Sequence, residues 1–277
     1  MEYSKLNAFK SFVLRHRKVV VFSLCSIVAL TILFVFGDSY AKRFDNNEFS
    51  ELRTFMLEIF ENDRGIYNHL KVKEVEKEVY GIDVSSWQKD IDWEKVKESG
   101  IDFVMLRCGY RNLSNDEIHE DNTFKYNISE ANRLGIPVGI YFYSTAISEK
   151  EALEEASFVL HMIKDYDVTY PIVYDFELFN EKRTEGISPL KINDNALTFL
   201  DYLKRHGYNG MIYSNLSYLE RVWDIERFDD YKFWLAQYDG EVETEYDMIQ
   251  YSNKGKIDGI STNVDLNKSK IAYVVEK

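Results

Sequence analysis

The chain has 277 residues, 45% of them apolar and 15% aromatic, with only 3 prolines, so it is long enough and ordered enough in composition to bury a sizeable core. A formal net charge of −13 argues against a nucleic-acid partner, because phosphate binding needs a basic surface. Cys25 and Cys108 lie in separate apolar runs and cannot pair within one chain, so a disulfide framework is excluded as well.

In chain order, residues 1–18 carry Lys5, Lys10, Arg15, Arg17 and Lys18 against Glu2 alone. Val19–Gly37 follows without a charge, as VVVFSLCSIVALTILFVFG. As a helix this run would measure about 28 Å, close to a bilayer's hydrocarbon thickness. It is longer than the apolar stretch of about 7–15 residues in a cleavable signal peptide. Ser39-Tyr40-Ala41 is a weak cleavage candidate, so a retained signal anchor is favoured over a removed peptide. The positive-inside rule then makes residues 1–18 a cytoplasmic tail and places the C-terminal bulk outside, on a single-pass protein of the cell membrane. Setting aside that tail's charge of +4 leaves −17 on the remainder.

Residues 38–78 read as a stalk or linker. Phe49, Leu52, Phe55, Met56, Ile59 and Phe60 have helical spacing, with Asn46 or Asn47 able to cap the start. That stripe could pack on the C-terminal domain, on a partner helix or on lipid. The charged run Lys71–Glu78 reads as a solvated connector.

From Val79 to Lys277 strand-like runs alternate with amphipathic helical ones. Strands are expected over Tyr80–Val84, Phe103–Cys108, Pro137–Tyr143, Ile172–Phe176, Gly210–Tyr213, Phe233–Ala236 and Met248–Tyr251. Helices are expected over Trp93–Glu98, Asn122–Leu134, Glu149–Lys164 and Asn193–His206. This alternation implies an α/β domain with a largely parallel sheet, and the number of units fits a barrel better than an open sheet. No Gly-rich phosphate loop follows the first strand, which weakens a dinucleotide fold.

The run Tyr170–Glu177, YPIVYDFE, ends a core strand in two carboxylates at i and i+2. On a strand these share one face, with Cα atoms about 6.5–7 Å apart. A solvated strand end would explain them singly. Active sites of β/α barrels, however, gather at the C-terminal ends of strands, and two further acids fall at such positions. Asp83 follows the first strand in GIDVSSWQ, and Asp265 lies in NVDLN near the end of the chain. Acids converging at one mouth raise one another's pKa, which a general acid working near neutrality requires.

These residues and their order carry a resemblance. GIDVSSWQ with IDWEKVKESGIDFVMLR, GIPVGIYFYSTAISEKEALEEASFVL, VYDFE, WLAQY and IQYSNKGKIDGISTNVDLN together resemble glycoside hydrolase family 25, the Chalaropsis-type lysozymes. The resemblance covers residues 79–277. It implies an irregular β/α (TIM-like) barrel that hydrolyses the β-1,4 bond between N-acetylmuramic acid and N-acetylglucosamine in peptidoglycan, with no cofactor and no metal. It makes Glu177 the general acid, Asp175 the carboxylate that orients the substrate or its 2-acetamido group, and Asp83 and Asp265 further acids at the rim. Ile249 stands where the family often has Trp, and Arg111–Asp121 corresponds to a variable loop.

Tyr141, Tyr143, Trp234, Gln237 and Tyr251 lie at or near strand ends and are candidates for lining sugar subsites, with barrel core as their alternative. No two histidines have metal-ligand spacing. Peptidoglycan glycan strands are the expected partner, with the membrane engaged through residues 19–37. A catalytically inactive, membrane-tethered peptidoglycan-binding barrel is the competing reading, though it has no reason to keep all these acids. A chitinase would be expected to show earlier acids on the catalytic strand, where this chain has Val168–Tyr174.

Overall fold

The computed structural model describes residues 70–276, except 115, 178–182 and 241. The expected tail, anchor and most of the stalk lie outside the described residues. Among the described residues no helix is long and apolar enough to cross a membrane.

Nine strands form one sheet in the order β1-β9-β8-β7-β6-β5-β4-β2-β3, and β1 also pairs with β2, so eight of them close a barrel. In chain order they are β1 (Val72–Val84), β2 (Phe103–Arg111), β3 (Ile118–Glu120), β4 (Val138–Tyr143), β5 (Ile172–Asp175), β6 (Gly210–Asn215), β7 (Lys232–Ala236), β8 (Met248–Gly255) and β9 (Val264–Val275). Successive pairs from β1 to β8 around the barrel are parallel, whereas β9 runs antiparallel to both β8 and β1. The barrel expectation is therefore borne out, with the irregularity confined to β9 and to β3, which forms a hairpin with β2.

The helices are α1 (Trp93–Glu98), α2 (Phe124–Arg133), α3 (Glu149–Ile163), α4 (Pro189–Arg205) and α5 (Leu216–Arg221). Side chains one residue upstream cap four of them: Asp92, Ser148, Ser188 and Asn215 each accept from a backbone N–H in the first turn. Pro189 occupies the first position of α4, where its missing N–H costs nothing, so that helix starts four residues before the expected Asn193.

Two apolar layers result. The larger lies between sheet and helices and includes Ile82, Leu106, Ile140, Phe142, Tyr174 and Phe199. The smaller fills the barrel and includes Phe103, Met105, Tyr170, Val173, Met211, Trp234 and Met248. Tyr170 plugs the barrel's lower end, stacked on Phe103 and tilted against Tyr273, with ring centroids 4.5 and 4.8 Å away. Room for this plug comes from Gly139, where an added Cβ would lie 2.4 Å from Met105 Sδ and 2.7 Å from Tyr170 Cβ.

Strand alternation then places the site. Inward positions run Phe103-Met105-Arg107 on β2, Val173-Asp175 on β5, Met211-Tyr213 on β6 and Met248-Gln250 on β8, apolar below and polar at the mouth.

One expectation is corrected here. Lys71–Glu78 is not a solvated connector: β1 begins at Val72, and Val72–Glu76 pairs with Ile271–Val275. Backbone pairing forms the strand despite its charges, which point to solvent or pair with Lys232 (Glu74, 3.2 Å) and Lys268 (Glu78, 3.4 Å). A chain beginning at Val79 should therefore melt lower than one beginning at Leu70. At about 0.2–1 kcal/mol per cross-strand pair, a loss of roughly 3–10 °C is expected in a calorimetric scan.

Candidate active site

The acids expected to act together converge at one mouth. Asp83 is the penultimate residue of β1, Asp175 ends β5, and Glu177 follows two residues on. Asp265 is the second residue of β9, and because β9 runs down the barrel its beginning lies at the mouth, paired in register with Asp83.

Asp83 is held by amides. Its Oδ2 accepts from Gln250 Nε2 and Asn267 Nδ2, both at 2.8 Å. Tyr213 and Tyr238 hydroxyls donate to Gln250 Oε1 at 3.0 and 2.6 Å, and Trp234 Nε1 donates to Asn267 Oδ1 at 2.8 Å. These donors leave each amide one orientation, with its NH₂ toward the carboxylate. Asp175 is also buried, and its Oδ1 has no hydrogen-bond partner among the described residues.

All four carboxyls are pushed above the usual range. Burial raises Asp83 to about 7, helped by the charge of Asp265 and opposed by the two amide donors. Asp265 is raised by burial and drawn back by its hydrogen bond with Asp83, so the two carboxyls titrate together rather than singly. Burial raises Asp175 strongly, with Glu177 and Asp83 adding and Arg107 opposing, and burial raises Glu177. The charge of Glu177 disfavours ionisation of Asp175, so the two titrate as a pair rather than singly.

The carboxyls open into a cleft of about 750 Å³, of which Tyr141, Tyr143 and Trp234 line part. Trp234 is 2% exposed and packs edge-on against Tyr141 and Tyr213, with ring centroids 6.2 and 5.0 Å away. It is thus floor and hydrogen-bond donor rather than an open stacking face. Gln237 and Tyr251, expected beside them, do not line the cleft. Alternation turns Tyr251 outward because Gln250 faces in, and Gln237 folds its amide onto the Asp239 carbonyl. Ile249 also faces outward and is buried, so the family's usual Trp is not missing from the cleft.

Several cleft residues escaped the sequence reading: Trp87, Arg107, Tyr213, Tyr238 and Gln250, with Asn267 supporting from behind. Gln250 and Asn267 were legible in principle, as the inward residue of IQYS and the residue two after Asp265. Trp87 sits on the short 3₁₀ turn Ser86–Gln88 after β1 and is 75% exposed. The loop expected at Arg111–Asp121 is tied at both ends. Arg111 is buried and donates to Glu155 Oε1 at 2.7 Å, while Asp121 receives Arg107 Nε at 2.8 Å. Among the described residues no cluster of His, Cys, Asp and Glu could hold a metal ion.

A closed β/α barrel with paired carboxyls at its C-terminal mouth, opening on an aromatic-lined cleft, defines the class of barrel glycosidases. The chain belongs to the glycosyl hydrolases family 25, whose family model matches residues 82–260. It is similar to the autolytic lysozyme of Clostridium acetobutylicum, 27% identical over 191 residues that cover 68% of this chain and 55% of that protein. It is also similar to a lysozyme of Streptomyces globisporus, 26% identical over 204 residues covering 69% and 67%. Among solved structures it is similar to the modular autolysin LytC of Streptococcus pneumoniae in complex with a synthetic peptidoglycan ligand, at 30% identity and TM-score 0.62 over 70% of this chain and 47% of that one. The chain thus spans about half the length of the first and third of these relatives.

Raised carboxyl pKa values carry a stability consequence. A folded pKa above the unfolded one gives stability that is whole below about pH 4 and is lost as pH rises through the folded value. Asp175→Asn removes that loss. The variant should melt a few degrees higher than the parent at pH 7–8, the gain vanishing below pH 4, as checked by melting curves across pH.

Proposed function

We propose that the chain is a lysozyme of the N-acetylmuramidase type, cleaving the β-1,4 bond between N-acetylmuramic acid and N-acetylglucosamine in peptidoglycan. The observation that carries this reading is the placement of Asp175, buried, and Glu177, half-buried, side by side at the mouth of a cleft large enough for sugar rings. Membership of the family and likeness to two lysozymes and to an autolysin solved with a peptidoglycan ligand support the substrate.

Glu177 is the general acid. Less buried than Asp175, and raised by that burial, it keeps its proton until the glycosidic oxygen needs it. As the bond to the muramic acid anomeric carbon lengthens, positive charge develops there. Asp175 Oδ1 is a buried acceptor in position to take the N–H of the substrate's 2-acetamido group, which makes that group's carbonyl oxygen a better internal nucleophile. Attack by that oxygen, followed by water, retains the anomeric configuration. Asp83 and Asp265 sit beside this pair as a second couple of raised carboxyls, and Tyr213 stays a neutral donor because burial raises its pKa far beyond the working range.

Residues 19–37 anchor the chain in the cell membrane, with residues 1–18 cytoplasmic and the barrel outside, on the sequence grounds given above. A tethered muramidase reaches only nearby wall, which suits local remodelling. Fractionation of cells expressing the full chain should place it with the membrane, and removal of residues 1–37 should release it.

Incubation with purified peptidoglycan, followed by borohydride reduction and mass spectrometry, should yield reduced muramic acid ends. Glu177→Gln should lower that rate by about 10²–10⁴. New glucosamine ends instead, or a Glu177→Gln variant as active as the parent, would overturn the assignment.

A further inference from the structure

This chemistry leaves one group at the cleft without a role. Among the described residues that line it, Arg107 is the one cation, facing Asp83, Glu120, Asp175, Glu177 and Asp265. It is held from one edge. Nε donates to Asp121 Oδ2 at 2.8 Å, and Nη2 lies 2.8 Å from the same oxygen and donates to Ser86 Oγ at 3.0 Å. The guanidinium carbon sits 5.4 Å from the centre of the Tyr110 ring. Among the described residues Nη1 has no partner, on a side chain that remains 15% exposed. Its charge is felt at Asp175 and at Tyr141, so it lies within electrostatic reach of the reacting region.

A guanidinium fixed along one edge and free at the other is a preorganised donor for an acceptor oxygen. Its surroundings differ from the acid side of the cleft: Trp87 and Leu113 give apolar surface, and Asn122 a neutral polar one. Muramic acid differs from glucosamine by a single substituent, a lactyl ether on O3. That group ends in a carboxylate, or in an amide carbonyl where a peptide is attached. Either end presents an acceptor oxygen that the cleft's carboxylates would repel. We propose that Arg107 is a specificity-determining residue, taking the lactyl carboxylate or carbonyl through Nη1 and so selecting muramic-acid-containing glycan over chitin-like glycan.

The proposal rests on the muramidase reading but can fail separately from it. Replacement of Arg107 is structurally tolerable, because Asp121 also accepts from Ser86 N and Thr123 N at 3.0 Å and from Thr123 Oγ1 at 2.7 Å.

The test uses the full-length chain carrying Glu177→Gln, titrated calorimetrically with the disaccharide of N-acetylglucosamine and N-acetylmuramic acid and, separately, with chitobiose. The lactyl-bearing sugar is expected to bind at least about tenfold more tightly, as one charge-assisted hydrogen bond implies. Adding Arg107→Met should bring the two ligands within about twofold of each other, with chitobiose affinity unchanged in a protein that still folds. Arg107→Gln keeps a donor toward Asp121 and should lose the preference equally, which covers the case in which the Met variant does not fold. A folded variant that keeps the preference, or a parent without one, overturns the assignment. Hydrolysis of peptidoglycan by the unsubstituted chain is measured alongside. Hydrolysis without lactyl preference sinks the role of Arg107 alone, whereas preference without hydrolysis sinks the muramidase reading alone.

Discussion

Insertion of antiparallel β9 between β8 and β1 is the constraint on which the site depends. It closes the barrel and sets Asp265 in register with Asp83. The same strand carries Asn267, whose amide fixes Asp83 from behind while receiving the indole N–H of Trp234. A slip of one residue in this pairing would turn Asp265, Asn267 and Ser269 outward together. Closure of the fold and assembly of the carboxylates are therefore one event. The strand's polar inward face fits this arrangement, since it meets amide and carboxyl partners at the mouth and apolar ones only from Ile271 downward.

Desolvation sets the chemistry and opposes stability at the same place. Asp83 and Asp175 are 5% and 6% exposed, and among the described residues no cation pairs directly with either. Asp83 is instead met by neutral amide donors, which orient it without supplying the charge that would pull its pKa down. Compare Asp121, also buried but receiving a guanidinium and three further donors, whose pKa is lowered despite burial. Two carboxylates of one fold are thus shifted in opposite directions, according to whether the donor that meets them is charged. The acids that would react are those left without a cation.

Much of this was legible in the sequence, and for a physical reason. Parallel strands buried on both faces read as apolar runs, so β2, β4, β5 and β7 stand out, and Asp175 and Glu177 are conspicuous because they end such a run. β9 was not legible: its inward residues Asp265, Asn267 and Ser269 are polar and its outward ones mixed, so no alternation marks it. The first half of β1 was hidden by charge, since its pairing with β9 is made by backbone and owes little to side chains. Gln237 and Tyr251 were misplaced by the same gap. Without knowing which residue of β8 faced inward, nothing in IQYS separates Gln250 from Tyr251.

Strand direction also decides where the barrel's own two ends lie. β1 is parallel to β2 and ends at the mouth with Asp83 and Val84, so Val72 enters at the opposite end. At about 3.3 Å per residue, its 13 residues separate that entry from the carboxyls by roughly 40 Å. The last residues of β9, paired with the start of β1, leave from the same lower end. Any tether on the N-terminal side therefore joins the barrel at the end away from the cleft, where Tyr170 and Tyr273 close the interior.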